Sequence, residues 1–138
     1  MTQEQKDLLI KDLCARLPYR VKVHDTKNSV NVPYMNLCHV NGIINEVFIS
    51  SGAICRTAPI EDVKPYLFPL SSMTEEQKEE LDNIFNQDDD VCEKIKTRNF
   101  EFSFFRKSIF DFLNKHHFDW RGLIPKGLAN DATGKNIY

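Results

Sequence analysis

The sequence predicts an α+β fold: an N-terminal helix, a small antiparallel β-sheet of three or four strands, a proline-rich strap, then two or three C-terminal helices packed on the sheet. Three observations carry this expectation. Leucines at helical spacing open the chain, period-two alternation with turn signals fills residues 20–57, and helical stripes return after Thr74. A sheet this small needs helices on one face to be stable. With 138 residues, 41% of them hydrophobic and 28% charged, the chain has the length and composition of one globular domain. That domain is assigned to residues 1–128, with 129–138 as a loose C-terminal tail.

Thr2 is placed to cap the first helix, and Gln5, three residues on, completes a capping box. Leu9, Leu13 and Leu17, with Ile10 and Cys14, form the stripe that should face the core, and Pro18 stops the helix. Val21 and Val23 then alternate with Arg20, Lys22 and His24, and residues 25–29 read as a turn. Met35, Leu37 and His39 alternate with Asn36, Cys38 and Val40, before Asn41-Gly42, a strong hairpin signal. A strand resumes from Ile43 to Ile49, and Ser51-Gly52 turns into a further strand at Ala53–Arg56.

Pro59 to Pro69 reads as a connector whose apolar middle, Tyr66-Leu67-Phe68, suits a strap pinned across the core better than a polyproline ligand. A second capping box at Thr74–Gln77 starts an acidic helix with Leu81, Ile84 and Phe85 on its buried side. Its opening echoes Met1–Asp7, but the echo stops at Leu81, so shared capping chemistry explains it better than an internal repeat. Asp88-Asp89-Asp90 reads as a solvated turn and a cap for a short helix through Val91 and Ile95; it lacks the alternating ligands and glycine of a calcium loop. Phe100, Phe102 and Phe104 alternate as in a strand, and a helix follows from Phe105 to His116 on the stripe Phe105, Ile109, Phe112, Leu113 and His116.

The net charge of −2 is unevenly spread: +1 over residues 1–70, −6 over 71–97 and +3 over 98–138. A nucleic-acid binder usually concentrates its cations on one face, so a protein partner is favoured over nucleic acid. No run approaches the roughly 18 apolar residues of a membrane span, and no basic segment precedes an apolar one near Met1, so a cytoplasmic setting without membrane partners is expected. The four cysteines, Cys14, Cys38, Cys55 and Cys92, form no CxxC pair and read as free, mostly buried thiols.

Catalytic and metal signals are sparse. Cys38-His39 on a strand point to opposite faces, and His116-His117 lie about 100° apart on a helix, so neither pair suits zinc. Neither a nucleophile elbow nor a glycine-rich phosphate loop is present, and no cofactor is expected. An enzyme would have to use His116 or His117 with Asp119 as orienter, on Ser71-Ser72 or a cysteine.

The segment His116-His117-Phe118-Asp119-Trp120-Arg121-Gly122 admits two readings. In one it is a recognition corner, with His117, Asp119, Trp120 and Arg121 binding a protein partner. In the other it is a helix end whose aromatics plug the core and whose Asp119 and Arg121 pair locally. A nucleic-acid alternative would use the sheet with Lys22, Lys107, Lys115 and Arg121 on phosphates.

Three blocks, residues 12–19 (Asp-Leu-Cys-Ala-Arg-Leu-Pro-Tyr), 63–74 (from Val63 through Pro65-Tyr66-Leu67-Phe68-Pro69 to Thr74) and 113–124 (from Leu113 through His116-His117-Phe118-Asp119-Trp120-Arg121-Gly122 to Ile124), resemble a family of small proteins carried by phages, prophages and other mobile elements of gut anaerobic bacteria. Relatives in that family often carry glycine where Arg20 stands and tyrosine where Trp120 stands. The resemblance brings no assigned chemistry. It implies a bacterial or phage cytoplasmic setting and an accessory role; the missing catalytic motifs, the acidic central helix and the aromatic corner point to a non-enzymatic one, exercised by binding another protein.

Overall fold

The computed structural model describes residues 1–28, 32–87 and 102–138. Helix α1 (Gln3–Arg16) starts on its capping box: Thr2 Oγ1 accepts the Gln5 N–H at 3.2 Å, and Gln5 Oε1 accepts the Thr2 N–H at 2.9 Å. Leu9 and Leu13 are buried as the stripe requires, but Cys14 is exposed, and the charged pair Asp12 and Arg16 lies inside instead. A 3-10 turn (Leu17–Tyr19) holds Pro18 and ends at Arg20, whose φ of 55° is left-handed ground that glycine occupies without strain.

The sheet has six strands rather than three or four: β1 (Lys22–Asp25), β2 (Met35–Asn41), β3 (Glu46–Ser51), β4 (Ile54–Pro59), β5 (Val63–Leu67) and β6 (Asn130–Asp131). Their order is β4-β3-β2-β1-β5-β6, antiparallel except for β5 with β6. The expected strap is therefore strand β5. Pro65 faces Val23 and sits ahead of Tyr66 and Leu67, the residues that β6 pairs, so its missing N–H removes no bond on that side. Leu9 and Leu13 pack with Val23, Leu37, Ile49 and Leu67 in the main core, and Leu123 and Leu128 extend it.

Two local departures shape the outer face of the sheet. A bulge between Leu37 and His39 breaks the alternation, so His39 is exposed and Val40 packs against the core. The hairpin at Asn41-Gly42 exists, but its turn runs from Gly42 to Asn45: Asn41 Oδ1 accepts the N–H groups of Ile43 and Ile44, and Asn45 has a φ of 54°. Ile43 and Ile44 are thus turn residues, 94% and 57% exposed, and not strand.

Helix α2 (Glu75–Gln87) uses the second capping box, with Gln77 N–H donating to Thr74 Oγ1 at 3.2 Å and Thr74 N–H to Gln77 Oε1 at 2.9 Å. Helix α3 (Phe102–Lys115) begins where a strand was expected. The period-two match at Phe100, Phe102 and Phe104 spans too few residues to outweigh the helical spacing that follows it. These helices build a second core with Phe112, Leu113 and Phe118 around Phe68, and the main face of the sheet is covered by α1. The Asp88–Asp90 turn, the short helix through Val91 and Ile95, and Cys92 lie outside the described residues.

The C-terminal segment is not loose. Strand β6 extends the sheet, Ala132 and Ile137 are buried against Tyr66, and Ala132 N–H donates to Leu67 O at 2.8 Å. The thiols of Cys14, Cys38 and Cys55 are free and exposed rather than buried; Cys38 falls at the bulge, and Cys55 pairs with Ser50 on the outer face. No described helix is long and apolar enough to cross a membrane.

Candidate functional site

The His116–Arg121 corner is tied down from every side. Phe68 and Phe118 form a parallel bridge, with Phe68 N–H donating to His117 O at 2.9 Å and Asp119 N–H to Phe68 O at 2.8 Å. Asp119 does not pair with Arg121: its carboxylate accepts the N–H groups of Leu123 at 2.7 Å and Ile124 at 2.8 Å, clasping the turn that Gly122 makes at a φ of 69°. Trp120 stacks on Phe110 at 4.4 Å, donates Nε1–H to Asn114 Oδ1 at 2.9 Å, and carries the Arg121 guanidinium 3.9 Å from its ring. Arg121 Nε lies 3.4 Å from Asp12 Oδ1. The same Asp12 holds Arg16 by two bonds at 2.7 and 3.1 Å, and Arg16 also donates to Phe118 O at 2.8 Å. The local pairing expected of Asp119 and Arg121 is thus replaced by a longer one that pins α1 to the corner.

His117 sits in the left-handed region (φ 59°), 7% exposed, stacked on Tyr138 with ring centroids 3.9 Å apart. Burial pushes its imidazole down to about 4, helped by the positive charges of Arg16, His116 and Lys22. The Tyr138 hydroxyl accepts the Lys22 N–H at 3.0 Å and donates to Tyr66 O at 2.7 Å, so a phenol splices β1 to β5. Burial raises that phenol well above its ordinary range. Among the described residues neither histidine of the corner bonds to Asp119, and no three His, Cys, Asp or Glu side chains gather as a metal site.

The face of the sheet turned away from α1 is different. Register places Lys22, Asn36, Ser50 and Cys55 in one row and His39, Phe48 and Thr57 in the next, followed by Asn41 and Glu46. Their neighbours Val47, Ile49 and Ala58 point into the core. Lys22 Nζ donates to Asn36 Oδ1 and lies 5.4 Å from the Tyr34 ring centroid. A cleft of about 370 Å³ opens between Arg20, Lys22, Asn36 and Cys38, and one of about 420 Å³ between His39, Asn41, Ile44, Glu46, Phe48 and Thr57. Lys64, opposite His24 one row further along, adds a third cation to Arg20 and Lys22; among the described residues named in these rows, Glu46 is the carboxylate.

Family models, curated proteins and solved structures yield no match to this chain. Of the cations expected on phosphates, only Lys22 belongs to the sheet face; Lys107 and Lys115 are exposed elsewhere, on α3, and Arg121 is turned to Asp12. Sequence reasoning missed Arg20, Tyr34, His39, Glu46 and Phe48. The alternation on either side of the bulge was the available signal, but the bulge hides which residues share a face.

Proposed function

We propose that this protein binds single-stranded nucleic acid across the helix-free face of its sheet. One observation carries the reading: on a chain of net charge −2, cations gather near an exposed ring on one face of the sheet, with Arg20, Lys22 and Lys64 on the same side as Phe48, which is 39% exposed. Unpaired bases stack on such rings for about 1–3 kcal/mol each, while lysine and arginine track the phosphates. Duplex is the poorer ligand, because the rings need unstacked bases and no described element projects from this face to enter a groove. The acidic helix α2 belongs to the second core, with Leu81 and Ile84 packed near Phe118, and its carboxylates are not part of this face.

The corner offers a protein partner less than its composition suggested, since Trp120 Nε1, Arg121 Nε and both Asp119 oxygens face internal partners. Such a binding activity suits an accessory protein of a phage or mobile element in a bacterial cytoplasm, the setting the sequence resemblance implies. The test is fluorescence anisotropy with a labelled single-stranded oligonucleotide across a salt series. Three phosphate contacts give an expected slope of log K on log salt of about −2. Lys22→Ala should flatten that slope, and Phe48→Ala should weaken binding at every salt concentration. Absence of binding at low salt, or binding indifferent to both substitutions, overturns the reading.

A further inference from the structure

We infer that the cleft beside Phe48 is a base-reading pocket that selects guanine. The inference rests on the nucleic-acid reading and names what this part of the face recognises. The bulge between Leu37 and His39 brings His39 into register with Phe48, whose other neighbour is Thr57. Phe48 is 39% exposed and supplies a flat apolar floor; Ile44, from the β2–β3 turn, closes one end of the cleft. About 420 Å³ falls within the range of small-ligand pockets and accommodates a purine.

The polar groups on the rim decide which base. Asn41 and Glu46 face each other across β2 and β3, one step along from His39 and Phe48. Asn41 Oδ1 is held by the N–H groups of Ile43 and Ile44 at 3.2 and 3.4 Å, so the amide orientation is set by the turn and its NH2 is left as a donor. Among the described residues Glu46 makes no side-chain hydrogen bond or ion pair, and as a carboxylate it only accepts.

A donor beside a two-oxygen acceptor complements guanine, which presents a carbonyl oxygen next to two adjacent N–H donors on its Watson–Crick edge. Adenine and cytosine would each set a ring-nitrogen lone pair against the Glu46 carboxylate. Uracil offers one N–H between two carbonyls. The cations Arg20 and Lys22, further along the same face, would hold the phosphates of neighbouring nucleotides.

Anisotropy with an oligouridine carrying one central guanine, adenine or cytosine tests this directly. The guanine oligomer should bind on the order of tenfold or more tightly than the others, as a two-point base contact commands. Replacing that guanine by inosine, which lacks the 2-amino donor, should remove much of the preference. Glu46→Gln should abolish the preference for guanine over inosine, and a circular-dichroism spectrum and urea midpoint matching the wild type show that the variant is folded. Equal binding of all oligomers, or a guanine preference that survives in Glu46→Gln, overturns the pocket but leaves the nucleic-acid reading intact. No binding of any oligomer overturns both.

Discussion

Replacing His117 by Asn should remove a large part of the protein's sensitivity to mild acid. The imidazole is 7% exposed, its Nδ1 is buried without a partner, and its ring lies flat on Tyr138. Burial, with Arg16, His116 and Lys22, holds its pKa near 4, against 6.5 for a free histidine. The folded state therefore prefers the neutral ring. As pH falls through 6.5 the unfolded chain takes up a proton that the folded chain refuses until about pH 4, so stability is lost across that window and levels off below it. At 1.36 kcal/mol per unit, the depression to about 4 corresponds to about 3 kcal/mol. Asparagine tolerates the left-handed conformation that His117 holds at a φ of 59°, so the backbone is preserved. Urea denaturation of both proteins near neutral pH and near pH 4 is the assay. The variant should be somewhat less stable at neutral pH, having lost the stack on Tyr138, yet lose about 3 kcal/mol less on acidification. The two proteins share every other titratable group, so the difference between their acid losses reports on residue 117. Parallel loss of stability in the two would refute the reasoning.

Two further predictions concern the ties between elements. Asp12 is fully buried between Arg16 and Arg121, so Asp12→Asn leaves two guanidinium groups facing each other without a counter-charge; a loss of about 3–5 kcal/mol is expected in chemical denaturation, and a loss below about 1 kcal/mol would show that the cluster does not hold α1 to the corner. Tyr138→Phe strips the hydroxyl that splices Lys22 N–H to Tyr66 O; it should cost about 1–3 kcal/mol and speed hydrogen exchange at the Lys22 amide, and unchanged protection there would count against the splice.

Much of the local structure was legible in the chain. Both capping boxes, the stop at Pro18, the hairpin at Asn41-Gly42 and the turn at Gly52 are where short-range chemistry puts them, because a cap or a turn involves residues three or four apart. Errors arose where a residue's environment is set by distant neighbours. Val63–Leu67 reads as a strap on account of Pro65, and only the pairing with β1 makes it a strand. Asp12 and Arg16 lie outside the stripe that the sequence marks for the core, but the Phe118 carbonyl and Arg121, about a hundred residues away, draw them inside.

The candidate sites divide in the same way. The corner was visible because its histidines, Phe118, Trp120 and Arg121 are contiguous, but contiguity could not show that their polar atoms are turned inward. The sheet face was nearly invisible because its members come from five strands and an extra residue at Cys38 changes which of them are neighbours.

The sequence by itself determined the α+β class, where the first two helices begin and that the chain turns after Asn41, since each depends on hydrogen bonds and periodicity within one segment. Only the tertiary structure decided that the sheet has six strands, that the last ten residues are woven into it through β6 and the Tyr138 hydroxyl, and that the cations and rings of the outer face lie together. Strand order, burial of charge and the sharing of a face are properties of pairs far apart in the chain, and they become defined only when packing chooses among the partners that local patterns leave open.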